Sequence, residues 1–305
     1  MKKSKAKIIV IIVVLVVLLA ACVIPMVISS KKSEGKVVIA TEDYTEEYIW
    51  GYLFKDLVEE YTDCQVELKE GLGGTEVCFQ ALKSGQIDVY LEYTGTAYGA
   101  TLALPYDATA DMYQIVKDTM EEKYGLTCLE TTGFNNTYCL AISEEMSKQY
   151  NITKISDLIN CEKKFRFSPT FEFEEREDGM KKLQKDYKGL EFSQVIPLED
   201  TLKYTSLESG ETDIVLAFST DGLLQKYNLV ILEDDLNSMY PYEAFPFVRM
   251  DTLKKYPDLE EALNKLSGKV DDKKMSYLNY QVDVEQKKPG DVAHDYLVEE
   301  GLISK

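Results

Sequence analysis

Apolar and polar residues along this chain alternate between a period near two and a period near four, and the switches mark out its elements. KVVIAT (36–41) is a short apolar run, the pattern of a buried strand. TEEYIWGYLFKDLVEEY (45–61) spaces its apolar residues as an amphipathic helix does, with Thr45 placed as the N-cap and acids in the first turn. CQVELKE (64–70) alternates like a strand, and GLGG (71–74) is a turn. Thr75 to Ser84 reads as a helix closed by Gly85, because glycine tolerates the left-handed conformation at a helix end. IDVYLEY is the next strand. Strand, helix, strand, helix, strand predicts an α/β unit with parallel pairing. A helical region near 110–124 follows, then strand candidates TYCLAIS (137–143), KFRFS (164–168), LEFSQVI (190–196) and TDIVLAF (212–218). From about Asp251 the last stretch is mostly helical in pattern.

The pattern also repeats. ALKSGQIDVYLEYTGT (81–96) lies on SLESGETDIVLAFSTD (206–221) at an offset of 125 residues. Gly85 falls on Gly210, Asp88 on Asp213, Leu91 on Leu216, Tyr93 on Phe218 and Thr94 on Ser219. Each copy is a helix end, a turn, a strand, and an aromatic at the strand's carboxyl end. One doubled unit is too few for a solenoid and suggests two similar α/β lobes. Ligands of open α/β sheets bind beyond the carboxyl ends of the strands, so facing lobes would put Tyr93 and Phe218 on opposite walls of one cleft.

Composition narrows the partners. The chain has 305 residues and a formal net charge of −19, which excludes a phosphate-binding face and hence nucleic acid. An acidic field favours cationic ligands and also simply keeps an exported protein soluble. The N-terminus, MKKSKAK followed by IIVIIVVLVVLLAAC, has the basic-then-apolar pattern of an export signal. Residues 1–30 are therefore read as a lipoprotein signal peptide or an N-terminal membrane anchor, and 31–36 as a linker. LAAC resembles a lipobox, with Cys22 as the lipid-attachment residue. The uncharged run from Ile8 to Ile28 is also long enough to span a bilayer uncleaved. Both place the remainder on the extracytoplasmic face of the cell membrane, since the positive end stays inside. Cys64, Cys78, Cys128, Cys139 and Cys161 are expected as small buried residues, with one disulfide open to them in that compartment. One histidine, His294, and no ligand spacing leave no metal or cofactor site expected.

YLEYTGTAYG (90–99) is too polar for plain core and too aromatic for a plain loop. Together with GLGGTEVCFQALKSGQIDVYLEYTGT, FNNTYCLAI, LAFSTDGLLQKYNLVILEDD and LNYQVD, it resembles the substrate-binding proteins of osmoprotectant ABC transporters, over about residues 37–303. The resemblance implies a two-lobed periplasmic-binding-protein clamp of the type 2, Venus-flytrap kind, with a ligand cleft between the lobes. It implies lobe 1 at 37–127 plus 233–305 and lobe 2 at 128–232. It implies a ligand such as choline, glycine betaine or carnitine, and ABC permease and ATPase subunits as partners. Ergothioneine, a betaine with a thione ring, is handled by related transporters. Carried over motif by motif, the aromatic cage is Tyr93, Tyr138, Phe218 and Tyr242, with Phe218 where tyrosine is usual and Tyr240 an alternative to Tyr242. Thr96 and Glu42 are assigned to the ligand's polar end, Glu42 standing where some relatives have an amide.

The residue types suit that ligand. A quaternary ammonium donates no hydrogen bond, so ring faces hold it better than carboxylates, at about 0.5–2 kcal/mol per ring. An acid at position 42 would repel a ligand carboxylate and accept from a hydroxyl, which predicts choline over glycine betaine; alternatively Glu42 is a solvated helix-start charge. Tyr98 is expected to pack over a helix start, and Asn135, Asn136 and Asp221 to serve as caps and turns. A hydrolase using Glu42 and Glu92 lacks a nucleophile elbow or metal spacing, so no enzyme is expected. A ligand-sensing ectodomain would share the fold.

Overall fold

The computed structural model describes residues 35–304 apart from 106, 108, 177, 178 and 199. Cys22, the apolar run and the basic N-terminus lie outside the described residues. Among the described residues no helix is long and apolar enough to cross a membrane.

Two mixed five-stranded sheets form two lobes. The first runs β2–β1–β3–β10–β4, from β1 (Gly35–Ala40), β2 (Cys64–Lys69), β3 (Val89–Tyr93), β4 (Leu126–Cys128) and β10 (Ala244–Arg249). The second runs β7–β6–β8–β5–β9, from β5 (Tyr138–Ser143), β6 (Arg166–Ser168), β7 (Gln194–Val195), β8 (Ile214–Phe218) and β9 (Leu229–Ile231). The longer helices are α1 (Thr45–Tyr61), α2 (Thr75–Ser84), α3 (Met112–Tyr124), α4 (Glu144–Tyr150), α5 (Met180–Asp186), α6 (Asp200–Glu208), α7 (Asp272–Asp283) and α8 (Pro289–Glu299).

The 125-residue echo is structural. β3 pairs parallel with β1 and antiparallel with β10; β8 pairs parallel with β6 and antiparallel with β5. Gly85 and Gly210 both close their helices in the left-handed region, at φ +78° and +74°. Asp88 accepts the Val38 N–H at 2.8 Å, and Asp213 accepts the Arg166 N–H at 2.8 Å, so each copy pins its strand to the neighbour by the same side chain. The expected parallel order holds for β1, β2 and β3 but not for the whole sheet, because the chain returns through β10 antiparallel to β3.

α1 buries Ile49, Trp50, Leu53, Phe54, Leu57 and Val58 against the first sheet, the spacing of one helix face. Trp50 stacks on Phe134 at 5.7 Å, and its indole N–H donates to Met275 Sδ at 3.2 Å. Truncating such a residue to alanine costs about 3–5 kcal/mol. Thr45 is not the N-cap: Tyr44 takes that place in extended conformation without a side-chain cap, and the Thr45 hydroxyl donates to Asp283 at 2.6 Å. LEFSQVI pairs only at Gln194 and Val195. The five cysteines among the described residues are all free; four are buried and Cys161 is half-buried.

Candidate functional site

Two chain segments, 129–137 and 232–243, cross between the sheets side by side. Asn136 N–H donates to Tyr242 O at 3.0 Å, Tyr242 N–H to Asn135 Oδ1 at 2.6 Å, and the Thr137 hydroxyl to Tyr240 O at 2.6 Å. Ser219, at the end of β8, joins them by donating its hydroxyl to Asn135 O and accepting from Thr137 N–H. Asn135 therefore belongs to the ribbon joining the lobes, in an antiparallel bridge with Glu243 rather than in the turn or cap expected of it.

A cavity of about 1100 Å³ opens where these segments meet the carboxyl ends of β3 and β8. Tyr93, Thr96, Tyr138, Phe218, Tyr242 and Glu42 all line it. Strand register explains the rings. Tyr138 and Phe218 are direct cross-strand partners in the second sheet, with ring centroids 5.0 Å apart. Tyr242 stands edge-on to Tyr138 at 6.2 Å. It precedes Ala244, which pairs with Tyr93 in the first sheet, and so carries the ring set across to Tyr93. Tyr240 lines a different cavity of about 880 Å³, together with Tyr98, Asp107, Lys181 and Lys185. The Tyr98 ring is buried and its hydroxyl donates to Pro105 O.

Gly95 makes this packing possible. A Cβ there would sit 2.7 Å from Pro241 O and 2.9 Å from the Tyr242 ring. The neighbouring Thr94 ties the same segments, donating to Pro241 O and accepting from Glu243 N–H at 3.0 Å.

Beneath the rings lies an acidic floor. Glu46 and Glu47, in the first turn of α1, and Glu92, in β3, are each at most 3 % exposed. Glu92 accepts from Tyr93 N–H at 2.7 Å and from the Tyr90 hydroxyl at 2.8 Å; burial, then the charge of Glu42, raises it to about 8. Glu47 accepts from Glu42 N–H at 3.2 Å, and burial and its acidic neighbours push it well above the usual carboxylate range. Glu42 is raised by burial, partly offset by a hydrogen bond with Thr75 at the start of α2. The first-turn position favours these charges only modestly, through the helix dipole.

Several cavity residues were not among those expected to meet a ligand, and two of them, Asn136 and Asp221, were expected only as caps and turns. Tyr44 donates its hydroxyl to the Tyr93 hydroxyl at 2.9 Å, and Tyr93 in turn donates to Glu46 at 2.7 Å. Asn136 and Asn279 each donate to Glu46, at 2.9 Å and 3.0 Å. Asp221 lines the cavity and accepts from the Tyr204 hydroxyl. Arg176 and Lys226 add basic groups on the second lobe's side. The one available hint was positional, since Tyr44 and Glu46 follow the carboxyl end of the first strand, where α/β sheets bind ligands. Glu42 and Glu92 do come close, but Glu92 is committed to Tyr90 and Tyr93 and does not line the cavity.

The family model described as the substrate binding domain of ABC-type glycine betaine transport system matches residues 35–299. The chain is 37% identical over 272 residues to the ergothioneine transport permease/ergothioneine binding protein EgtU of Helicobacter pylori (strain G27), covering 88% of this chain and 48% of that protein. It thus spans about half the length of that relative. It is 34% identical to the carnitine transport binding protein OpuCC of Listeria monocytogenes, covering 87% of each. A solved structure of a glycine betaine/carnitine/choline ABC transporter protein superposes with a TM-score of 0.83 at 27% identity, covering 88% of this chain and 99% of that one.

Proposed function

This chain belongs to the family of substrate-binding domains of ABC-type glycine betaine transport systems, and from that premise we propose that its ligand is a trimethylammonium betaine whose far end carries N–H donors, of which ergothioneine is an example. As an extracytoplasmic binding protein of that family it captures a quaternary-ammonium compound for an ABC importer and is not an enzyme. In our reading Tyr93, Tyr138, Phe218 and Tyr242 hold the ammonium group by their ring faces. Four rings supply at most roughly 8 kcal/mol, near micromolar affinity before ordering costs. Phe218 keeps the ring quadrupole and lacks only the hydroxyl.

The observation that carries the ligand choice is the pairing of an acid and a guanidinium in one cavity: Glu42 from the first lobe and Arg176 from the second both line it. Glu42 accepts from ring N–H donors; Arg176 receives a carboxylate through its planar fork. Glycine betaine and carnitine bring no N–H donor, and choline brings no carboxylate. Similarity to the ergothioneine-binding relative supports the same ligand. Choline is the second reading, because its hydroxyl would also donate to Glu42, and Thr96 lines the same cavity. Calorimetry with ergothioneine, choline, carnitine and glycine betaine tests this. Ergothioneine binding tightest, and weakening in Glu42→Gln, is the expected result. Choline binding more tightly than ergothioneine refutes it. We further propose that Cys22 lipidation or the apolar run anchors the protein outside the membrane beside its permease and ATPase. Mass spectrometry finding neither a lipidated Cys22 nor an intact Met1 on the membrane-bound protein refutes the anchoring.

A further inference from the structure

Glu46 is 3 % exposed yet lines the cavity. Its carboxylate is surrounded by donors from four separate parts of the chain. Tyr93 Oη lies at 2.7 Å on the end of β3, Asn136 Nδ2 at 2.9 Å on the inter-lobe ribbon, and Asn279 Nδ2 at 3.0 Å on α7. The Thr220 hydroxyl, just beyond β8, is the fourth. Both asparagines turn their N–H groups to Glu46 and leave their own buried Oδ1 atoms without a partner. That arrangement has a cost of its own, and it suits an ionised carboxylate, which takes four donors and offers no proton. Burial raises this carboxyl above its ordinary value, and the four donors offset part of that rise.

Among the described residues no Lys, Arg or His forms an ion pair with Glu46. The titratable groups around it are Glu42 and Tyr44 ahead of α1, Glu47 within it, Glu92 and Tyr93 on β3, and Asp283 at the end of α7. Each is acidic or neutral; the basic groups that line the same cavity, Arg176 and Lys226, come from the second lobe. A buried carboxylate without an ion-pair partner is costly, so a cation entering the cavity is its natural counter-charge.

We infer that Glu46 is the specificity residue that makes the cage select a cation over a neutral group of the same shape. It acts through Tyr93: a phenol donating to a carboxylate is more electron-rich in its ring, and the hydrogen bond fixes that ring's position. It acts also as a fixed negative charge behind the ring face. This rests on the reading of Tyr93 and its three partners as the cage, and the test separates the two.

The test uses isosteric pairs in which carbon replaces nitrogen: choline against 3,3-dimethylbutan-1-ol, and glycine betaine against 3,3-dimethylbutanoate. Affinities are measured by calorimetry or competition for the parent protein and Glu46→Gln. The parent prefers the ammonium member of each pair, and Glu46→Gln lowers that ratio roughly tenfold. A purely structural role for Glu46 would weaken both members alike and leave the ratio unchanged, which would overturn the inference. A parent with no preference for the ammonium member refutes the cage reading, and this inference with it. Should Glu46→Gln not fold, Tyr93→Phe cuts the link and keeps the ring. Its ratio falls roughly threefold, and an unchanged ratio in that folded variant overturns the inference equally.

Discussion

Glu92 offers a quantitative check on the acidic floor. It is 1 % exposed, raised from an ordinary 4.5 to about 8, and flanked by Glu42 and Glu47. The folded protein therefore holds a proton there that the unfolded chain has released between about pH 4.5 and 8. Across that window the folded state binds more protons, so stability falls as pH rises. The gap between the two values, at 1.36 kcal/mol per pH unit, bounds the effect at roughly 5 kcal/mol. Glu92→Gln removes the charge and keeps the shape. The Tyr90 hydroxyl, which donates to Glu92 at 2.8 Å, can reverse and accept from an amide. The assay is urea unfolding of parent and variant at pH 5.5, 7 and 8.5 without ligand. Starting at pH 5.5 avoids the surface carboxylates held low by lysine or arginine, such as Asp213 and Asp186, whose contribution is complete by then. The parent should lose several kcal/mol across the range, and Glu92→Gln should lose less by up to roughly 3 kcal/mol, since only the part of the gap above pH 5.5 is sampled. A residual slope remains from Glu42, Glu46 and Glu47, which are raised in the same direction. Equal slopes for the two proteins would refute the reasoning.

The other expectations concern binding and packing. Because a bound cation lowers the proton affinity of this floor, ligand affinity should tighten severalfold between pH 6 and 8.5, and calorimetry on Glu92→Gln should show that dependence reduced. Phe218→Tyr should change affinity less than threefold, whereas Phe218→Ala should lose about 0.5–2 kcal/mol, read by the same titration. Gly95→Ala would press a methyl group on Pro241 O and the Tyr242 ring, and should weaken binding and lower the melting temperature together.

Much of this architecture was legible in the chain, for reasons that can be traced. Strong periodicity marked α1 and α2, and the repeated helix–turn–strand unit foretold that Tyr93 and Phe218 end equivalent strands in two sheets. β10 was not legible, because YPYEAFPFVR carries prolines and aromatics in a pattern that reads as loop, and only tertiary pairing with β3 and β4 makes it a strand. The same long-range return makes the sheets mixed. Tyr242 could not be told from Tyr240 by spacing; in the fold Tyr242 lines the cavity with Tyr93, Tyr138 and Phe218, and Tyr240 lines the other one. Glu46 looked like an ordinary first-turn acid. Its four donors come from segments as far as 233 residues away in sequence, and no local signal encodes such a convergence.

The cage between the lobes is open to one decisive titration. Residues 33–305 are titrated calorimetrically with ergothioneine and choline, as the parent and as the double substitution Tyr93→Ala/Phe218→Ala, which removes one ring from each lobe. Single-site binding by the parent near micromolar, lost by roughly tenfold or more in the folded double variant, is the expected result. A double variant that binds either compound as tightly as the parent, or a parent that binds no quaternary ammonium compound, would contradict the cage between the lobes.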